Sequence, residues 1–138
     1  MRIIYRFSTE QMKQVHQLCQ QAWWYKGNAL EDTIACVENS QICIGMLDDD
    51  EHLIGFARII TDFIYNAFIF DVIVSQVHRG KGLGQQLIAL VKSHQQLQKV
   101  KYFELYCLPD MTTFYTNLGF STDVNGVQLM RYSKANKP

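Results

Sequence analysis

The segment that most restricts the fold is Arg79-Gly80-Lys81-Gly82-Leu83-Gly84. It stands between a β-prone apolar run, Tyr65 to Ser75, and a helical period carried by Leu87, Ile88 and Val91 to about His94. A strand that turns through glycine straight into a helix leaves the first helical amides without intrahelical partners. Those N–H groups and the positive end of the helix dipole then meet at one point, which suits phosphate or pyrophosphate. Glycine lets a ligand approach the backbone closely and permits positive φ. Arg79 and Lys81 can add charge. Two common phosphate loops do not fit. A P-loop ends in Gly-Lys-Ser/Thr, whereas Gly80-Lys81 is followed by Gly82. A dinucleotide fingerprint opening at Gly80 would place its third glycine at position 85, which is Gln85, and would belong at the first βα turn.

The periodicity around this loop orders the rest of the chain. Arg2 to Phe7 reads as a short strand. Ser8 and Gln11 have the form of a capping box, followed by Met12, Val15, Leu18, Cys19 and Ala22 at helical spacing. Trp23-Trp24-Tyr25-Lys26-Gly27 closes that helix. Asn28 and Glu31 suggest a second capping box, opening a helix through Leu30, Ile34 and Val37 to about Asn39. Ile42 to Leu47 and Leu53 to Thr61, separated by Asp48-Asp49-Asp50, predict a hairpin. Near-continuous apolarity from Tyr65 to Ser75 predicts a strand covered on both faces. Val100 to Cys107 reads as a strand and Thr112 to Leu118 as a short helix stopped by Gly119. Phe120 to Val124, Asn125-Gly126 and Val127 to Tyr132 predict a final hairpin. The order β-α-α-β-β-β-α-β-α-β-β implies one mixed α/β (α+β) sheet with helices on its faces, in a single domain over residues 1–138.

Composition narrows the class. At 138 residues the chain can bury roughly two-thirds of its unfolded surface, so disulfide or metal staples are not needed. Thirteen Lys and Arg balance thirteen Asp and Glu, which argues against nucleic acid as a partner. Cys19, Cys36, Cys43 and Cys107 show no two-residue spacing and read as free buried thiols in a reducing compartment, with no metal site. The opening Met1 to Arg6 lacks a long apolar stretch, so no signal peptide is expected. Ile59 to Val74 is broken by Asp62, Asn66 and Asp71, too polar to span a bilayer. These features fit a cytoplasmic protein without membrane contact.

The glycine segment resembles the signature of the GNAT superfamily of acyl-CoA-dependent N-acetyltransferases, Gln/Arg-x-x-Gly-x-Gly/Ala between a strand and a helix. Here it is preceded by Phe70-Asp71-Val72-Ile73-Val74. A second family element, Phe114-Tyr115-Thr116-Asn117-Leu118-Gly119-Phe120, follows at the expected distance, and the element order also matches. The resemblance implies a mostly antiparallel central sheet with helices on both faces and acetyl-CoA as cosubstrate. By position, the backbone of Arg79, Gly80, Lys81, Gly82, Leu83 and Gly84 would hold the pyrophosphate. Backbone groups near Ile73 and Val74 would take the pantetheine arm, and an N–H there would stabilise the developing oxyanion.

The resemblance also implies an amine acceptor and a proton donor to the departing thiolate. Tyr115 occupies the donor's place, and a phenol near its usual pKa of about 10 suits that step. Some polyamine-acetylating relatives carry Glu-Asp before the loop. This chain reads Phe70-Asp71, leaving Asp71 either as a structural carboxylate or in a water relay or substrate contact. An asparagine often found before the tyrosine is replaced by Leu108-Pro109-Asp110-Met111. Acceptor selection in the family falls to the first two helices and central strands. Trp23, Trp24, Tyr25 and Asp62 could hold a cationic amine there, or could simply close the core and a turn. His16, His52 and His94 read as surface positions; His78, just before the loop, could lie near phosphate but is expected to be exposed. Two functions stay open: an acetyltransferase acting on a primary amine, or an acyl-CoA-binding sensor without turnover. A homodimer is an open question on the same analogy.

Overall fold

The computed structural model describes residues 1–22 and 27–134. It comprises two compact units, residues 1–106 and a second unit beginning at Cys107. The first contains β1 (Arg2–Ile4), α1 (Thr9–Cys19), α2 (Leu30–Asn39), β2 (Ile42–Leu47), β3 (Leu53–Thr61), β4 (Asn66–Val74), α3 (Leu83–Lys92) and β5 (Tyr102–Leu105). Its five strands lie side by side in chain order. The first three pairings are antiparallel and β4–β5 is parallel, so the sheet is mixed and mostly antiparallel. The second unit contains α4 (Thr112–Thr116).

Local chemistry explains most of these elements. Ser8 Oγ accepts the Gln11 N–H at 3.1 Å, and Gln11 Oε1 accepts the Ser8 N–H at 2.9 Å, completing the first capping box. Val15, Leu18 and Cys19 then fall on one buried stripe of α1. The second capping box does not form. Gly27 turns with φ +86°, the chain stays extended through Ala29, and the helix starts at Leu30 with no side-chain cap. Asn28 is thus one residue too early to reach the orphan amides. Instead α2 is fastened to α1 by Thr33, fully buried, whose hydroxyl lies 2.8 Å from His16 Nδ1.

All six residues of β2 are buried, as expected of a strand covered on both faces. Such cover was expected of the Tyr65 to Ser75 run, but on β4 it is incomplete. Ala67, Ile69 and Ile73 are buried, whereas Phe68 and Phe70 are half-buried and cluster with Tyr106 at ring distances of 6.1, 5.9 and 5.8 Å. The cysteines also divide: Cys19 and Cys43 are buried, Cys36 and Cys107 exposed.

The C-terminal hairpin forms only at its turn. Asn125 and Gly126 have φ of +59° and +79°, and the Val127 N–H donates to the Val124 carbonyl at 3.2 Å, the primed geometry that Asn-Gly favours. No strand follows β5 among the described residues. Val127, Leu129, Met130 and Tyr132 are at least 60% exposed. A turn is a local preference, whereas a two-stranded ladder needs a face to bury, and the described residues flanking this turn bury none. No described helix is long and apolar enough to cross a membrane.

Gly45, in the middle of β2, shows how closely the sheet is packed. A Cβ there would come within 2.9 Å of Ile4 Cγ1 and of the Phe7 ring. Gly45→Ala is therefore expected to lower unfolding free energy by about 1–3 kcal/mol in urea titration, with an unchanged m-value. Wild-type stability in the variant would show that β1 yields without cost.

Candidate active site

β4 has two unequal neighbours. Its parallel partner pairs with residues 66–69 only, while the β3 ladder continues to Val74. Along residues 70–74, therefore, one edge of β4 has no ladder partner among the described strands. Such an edge can accept an extended ligand as an added strand. The chain leaves β4 with the Ser75 N–H donating to the Ile54 carbonyl at 2.8 Å, makes one tight turn over Gln76–His78, and enters the glycine loop.

The loop has the conformation that its composition predicts. Gly80 and Gly82 have φ of +81° and +80°, and Gly82 is the N-cap of α3 without any side-chain cap. A Cβ on either glycine would meet nothing within 4 Å. Glycine is needed here for the left-handed backbone, and the space above the loop is open. With no acidic residue in its first turn, α3 keeps the positive end of its dipole unneutralised. Arg79 Nε donates to the Val74 carbonyl at 3.1 Å, tying the loop back to the end of β4. Lys81 is exposed. His78, expected at the surface, is half-buried, and its Nδ1 is buried without a hydrogen-bond partner beside the loop. An open cradle of uncapped amides at a helix N-terminus fits a pyrophosphate.

The sequence candidates fall in three places. Ile73, Val74 and residues 79–84 form one continuous stretch at the end of β4 and the start of α3. Asp71 lies just before them, its Oδ2 2.9 Å from Arg58 Nε. Asp62 lies at the other end of β4, beyond the β3 terminus, about 26 Å along the strand at some 3.3 Å per residue. Its Oδ1 accepts the N–H groups of Ile64, Tyr65 and Asn66, which holds its carboxyl below the usual value and gives it a turn-forming role. Trp23, Trp24 and Tyr25 lie outside the described residues.

Tyr115 belongs to the second unit. It lies on α4 between Phe114 and Phe120, with edge-on ring contacts at 4.9 and 5.9 Å. The helix closes through Gly119 at φ +98°, with the Phe120 N–H returning to the Tyr115 carbonyl at 3.1 Å. Burial, and secondarily Cys107, push the phenol above its ordinary pKa, so it holds its proton at neutral pH.

Two features escaped the sequence reading. One is the ring cluster Phe68, Phe70 and Tyr106, for which the alternation of Phe68 with Phe70 was the available signal. The other is the pairing of Arg58 with Asp71, for which an Asp within an apolar strand was the only hint.

Comparison with known proteins agrees with this geometry. The family model for the acetyltransferase (GNAT) domain matches residues 38–122. An uncharacterized N-acetyltransferase ycf52 of Pyropia yezoensis is 34% identical over 125 residues, covering 85% of this chain and 68% of that protein. This chain thus spans about two-thirds of the relative's length. A putative GNAT-family acetyltransferase from Xanthomonas campestris pv. campestris superposes with a TM-score of 0.80 at 26% identity, over 96% of this chain and 94% of the other. An aminoglycoside 6'-N-acetyltransferase, solved with coenzyme A, shares the fold with a TM-score of 0.66 at 16% identity, over 76% of this chain and 61% of that one. The family match over most of the chain, on a sheet whose half-paired β4 runs into a glycine-capped helix, places this chain in the GNAT superfamily of N-acetyltransferases.

Proposed function

We propose that residues 1–138 serve as one catalytic domain that moves an acetyl group from acetyl-CoA to a primary amine, in a ternary complex. The observation that carries this reading is the loop: uncapped amides at the start of α3, two glycines at positive φ, and an open approach. A dianionic pyrophosphate gains there from the dipole and from direct N–H donors. The unpaired edge of residues 70–74 offers main-chain partners to the amide-bearing pantetheine arm. A main-chain N–H near Ile73 or Val74 would donate to the thioester oxygen as negative charge develops on it.

The amine nitrogen, entering neutral, forms a bond to the acetyl carbon; the carbon–sulfur bond breaks with its electron pair leaving on sulfur, and the nitrogen gives up one proton through water to solvent. Tyr115 is the proposed proton donor to that thiolate. Its raised pKa keeps the donor form filled at neutral pH, and the phenolate that results is the stronger base to be reprotonated from solvent. Free thiols at Cys19, Cys36, Cys43 and Cys107 fit a reducing compartment such as the cytoplasm. The acceptor is proposed to be a small-molecule amine.

A thermal-shift titration with acetyl-CoA, followed by free-thiol release against a panel of polyamines, amino acids, aminoglycosides, arylamines and a lysine peptide, tests the assignment. Stabilisation together with amine-dependent release is expected. Stabilisation without release from any amine would favour a sensor. Gly82→Glu should abolish the shift, since a carboxylate and a strained backbone enter the phosphate cradle; an unchanged shift would remove the loop from the binding site.

Tyr115→Phe should lower turnover by about 100-fold or more while the Kd for acetyl-CoA stays within error, measured by calorimetry and initial rates. Equal turnover in the two proteins would take the proton-donor role from Tyr115.

A further inference from the structure

Asp71 is the single β4 residue with positive φ, at +57°. It stands where the β3–β4 register slips. Phe56 faces Ile73 and Arg58 faces Phe70, so Ala57 alone opposes the pair Asp71 and Val72. That is a β-bulge, one extra residue on β4. Its effect on the side chains is visible. Ile59 and Ile69 are opposite one another, and so are Phe56 and Ile73. Positions 56 and 59 differ by an odd number and must point to opposite faces of β3. Positions 69 and 73 differ by an even number, yet they follow their partners to opposite faces. Phe56 and Ile73 share a buried cluster with Val15, Leu18 and Cys19 of α1. The bulge therefore turns the strand over. Without it, every side chain and every main-chain group from 73 onward would exchange sides.

The residue at this pivot is held from several directions. Asp71 Oδ2 accepts from Arg58 Nε at 2.9 Å, with side-chain exposures of 9% and 18%. Arg58 also donates from Nη1 to Ser40 Oγ at 3.4 Å, beyond the end of α2, and its guanidinium carbon lies 5.0 Å from the centre of the Phe70 ring. Among the described residues, the thiols Cys19 and Cys43 lie in electrostatic reach of the pair, and Cys36 in reach of those two thiols. Burial pushes Cys19 up to about 12 and Cys43 up to about 11, so both stay neutral near pH 7.

Resting on the reading of residues 73–84 as the acyl-CoA site, we infer that Asp71 is a positioning residue and Arg58 its clamp. Together they hold β4 in the left-handed turn that aims the main chain of Ile73 and Val74 at the ligand. A carboxylate this hidden, with a guanidinium already on it, is poorly placed to receive a proton from an incoming amine. Its role is to keep a non-glycine residue at a backbone angle that few side chains tolerate. Asp and Asn adopt that angle with the least strain, and a β-branched residue is excluded from it.

Asp71→Asn and Asp71→Val separate this from base catalysis. Each is compared with wild type by calorimetric Kd for acetyl-CoA, kcat, rate–pH profile and melting temperature. Positioning predicts that Asn, which keeps the angle and an oxygen for Arg58, retains kcat within about fivefold, with an unshifted rate–pH profile. It predicts that Val weakens acetyl-CoA binding by about tenfold or more and melts lower. A loss of about 100-fold in kcat for Asn at unchanged Kd would make Asp71 a proton acceptor and overturn the inference. Wild-type binding and melting in Val would overturn it as well. Wild type that fails to bind acetyl-CoA at all would remove the functional reading, while the melting order of Asn and Val would still test the clamp.

Discussion

The structure turns on β4 being a strand with a full-length antiparallel neighbour on one side and a four-residue parallel neighbour on the other. Its first half is an interior strand, its second half an edge. Edges of this kind attract unwanted pairing unless something occupies or protects them. Here the edge runs directly into uncapped helix amides and an unneutralised helix dipole. Main-chain groups on a strand edge, unpaired among the described strands, and uncapped amides at a helix N-terminus therefore lie consecutively in the chain. On the proposed acyl-CoA reading, few side chains are needed, because the ligand is an extended amide arm ending in pyrophosphate.

This division of labour lets the rest of the sequence vary. The loop needs glycine at 80 and 82 for backbone angles, and the ladder needs Gly45 for closeness to Ile4 and Phe7. Elsewhere, apolarity at the right period is enough. Charge enters the interior as the matched pair Arg58 and Asp71, set at the one place where the strand must reverse its faces. A buried carboxylate without that partner would be costly, so the pair has to be kept or lost together.

The sequence displayed the elements whose cause is local. The Ser8 box, the bounds of β2 and β3, and the strand–glycine–helix succession could all be read because each rests on spacing or on φ alone. The loop's left-handed backbone and its run into a helix were equally plain from three glycines and a helical period. What could not be read depended on distant partners. Asn28 looked like a cap, yet the Gly27 turn sets the helix start one residue later. The Asn125-Gly126 turn formed, but no buried face exists among the described residues to turn its flanks into strands. Asp71 stayed open between a structural carboxylate and a water relay or substrate contact, because a one-dimensional reading cannot see Arg58 reaching it across the β3–β4 ladder. Asp62 could be read as an acceptor contact or as a turn residue, and only the fold shows its oxygen engaged by three turn amides.

Amide hydrogen–deuterium exchange with and without saturating acetyl-CoA measures the central claim residue by residue. Binding through main-chain groups predicts slowed exchange concentrated in residues 72–74 and 80–85, with little change at the Asp62 turn or the β2–β3 turn. Protection that spares residues 80–85 while acetyl-CoA is bound would contradict the loop and the β4 edge as the place where this protein holds its cosubstrate.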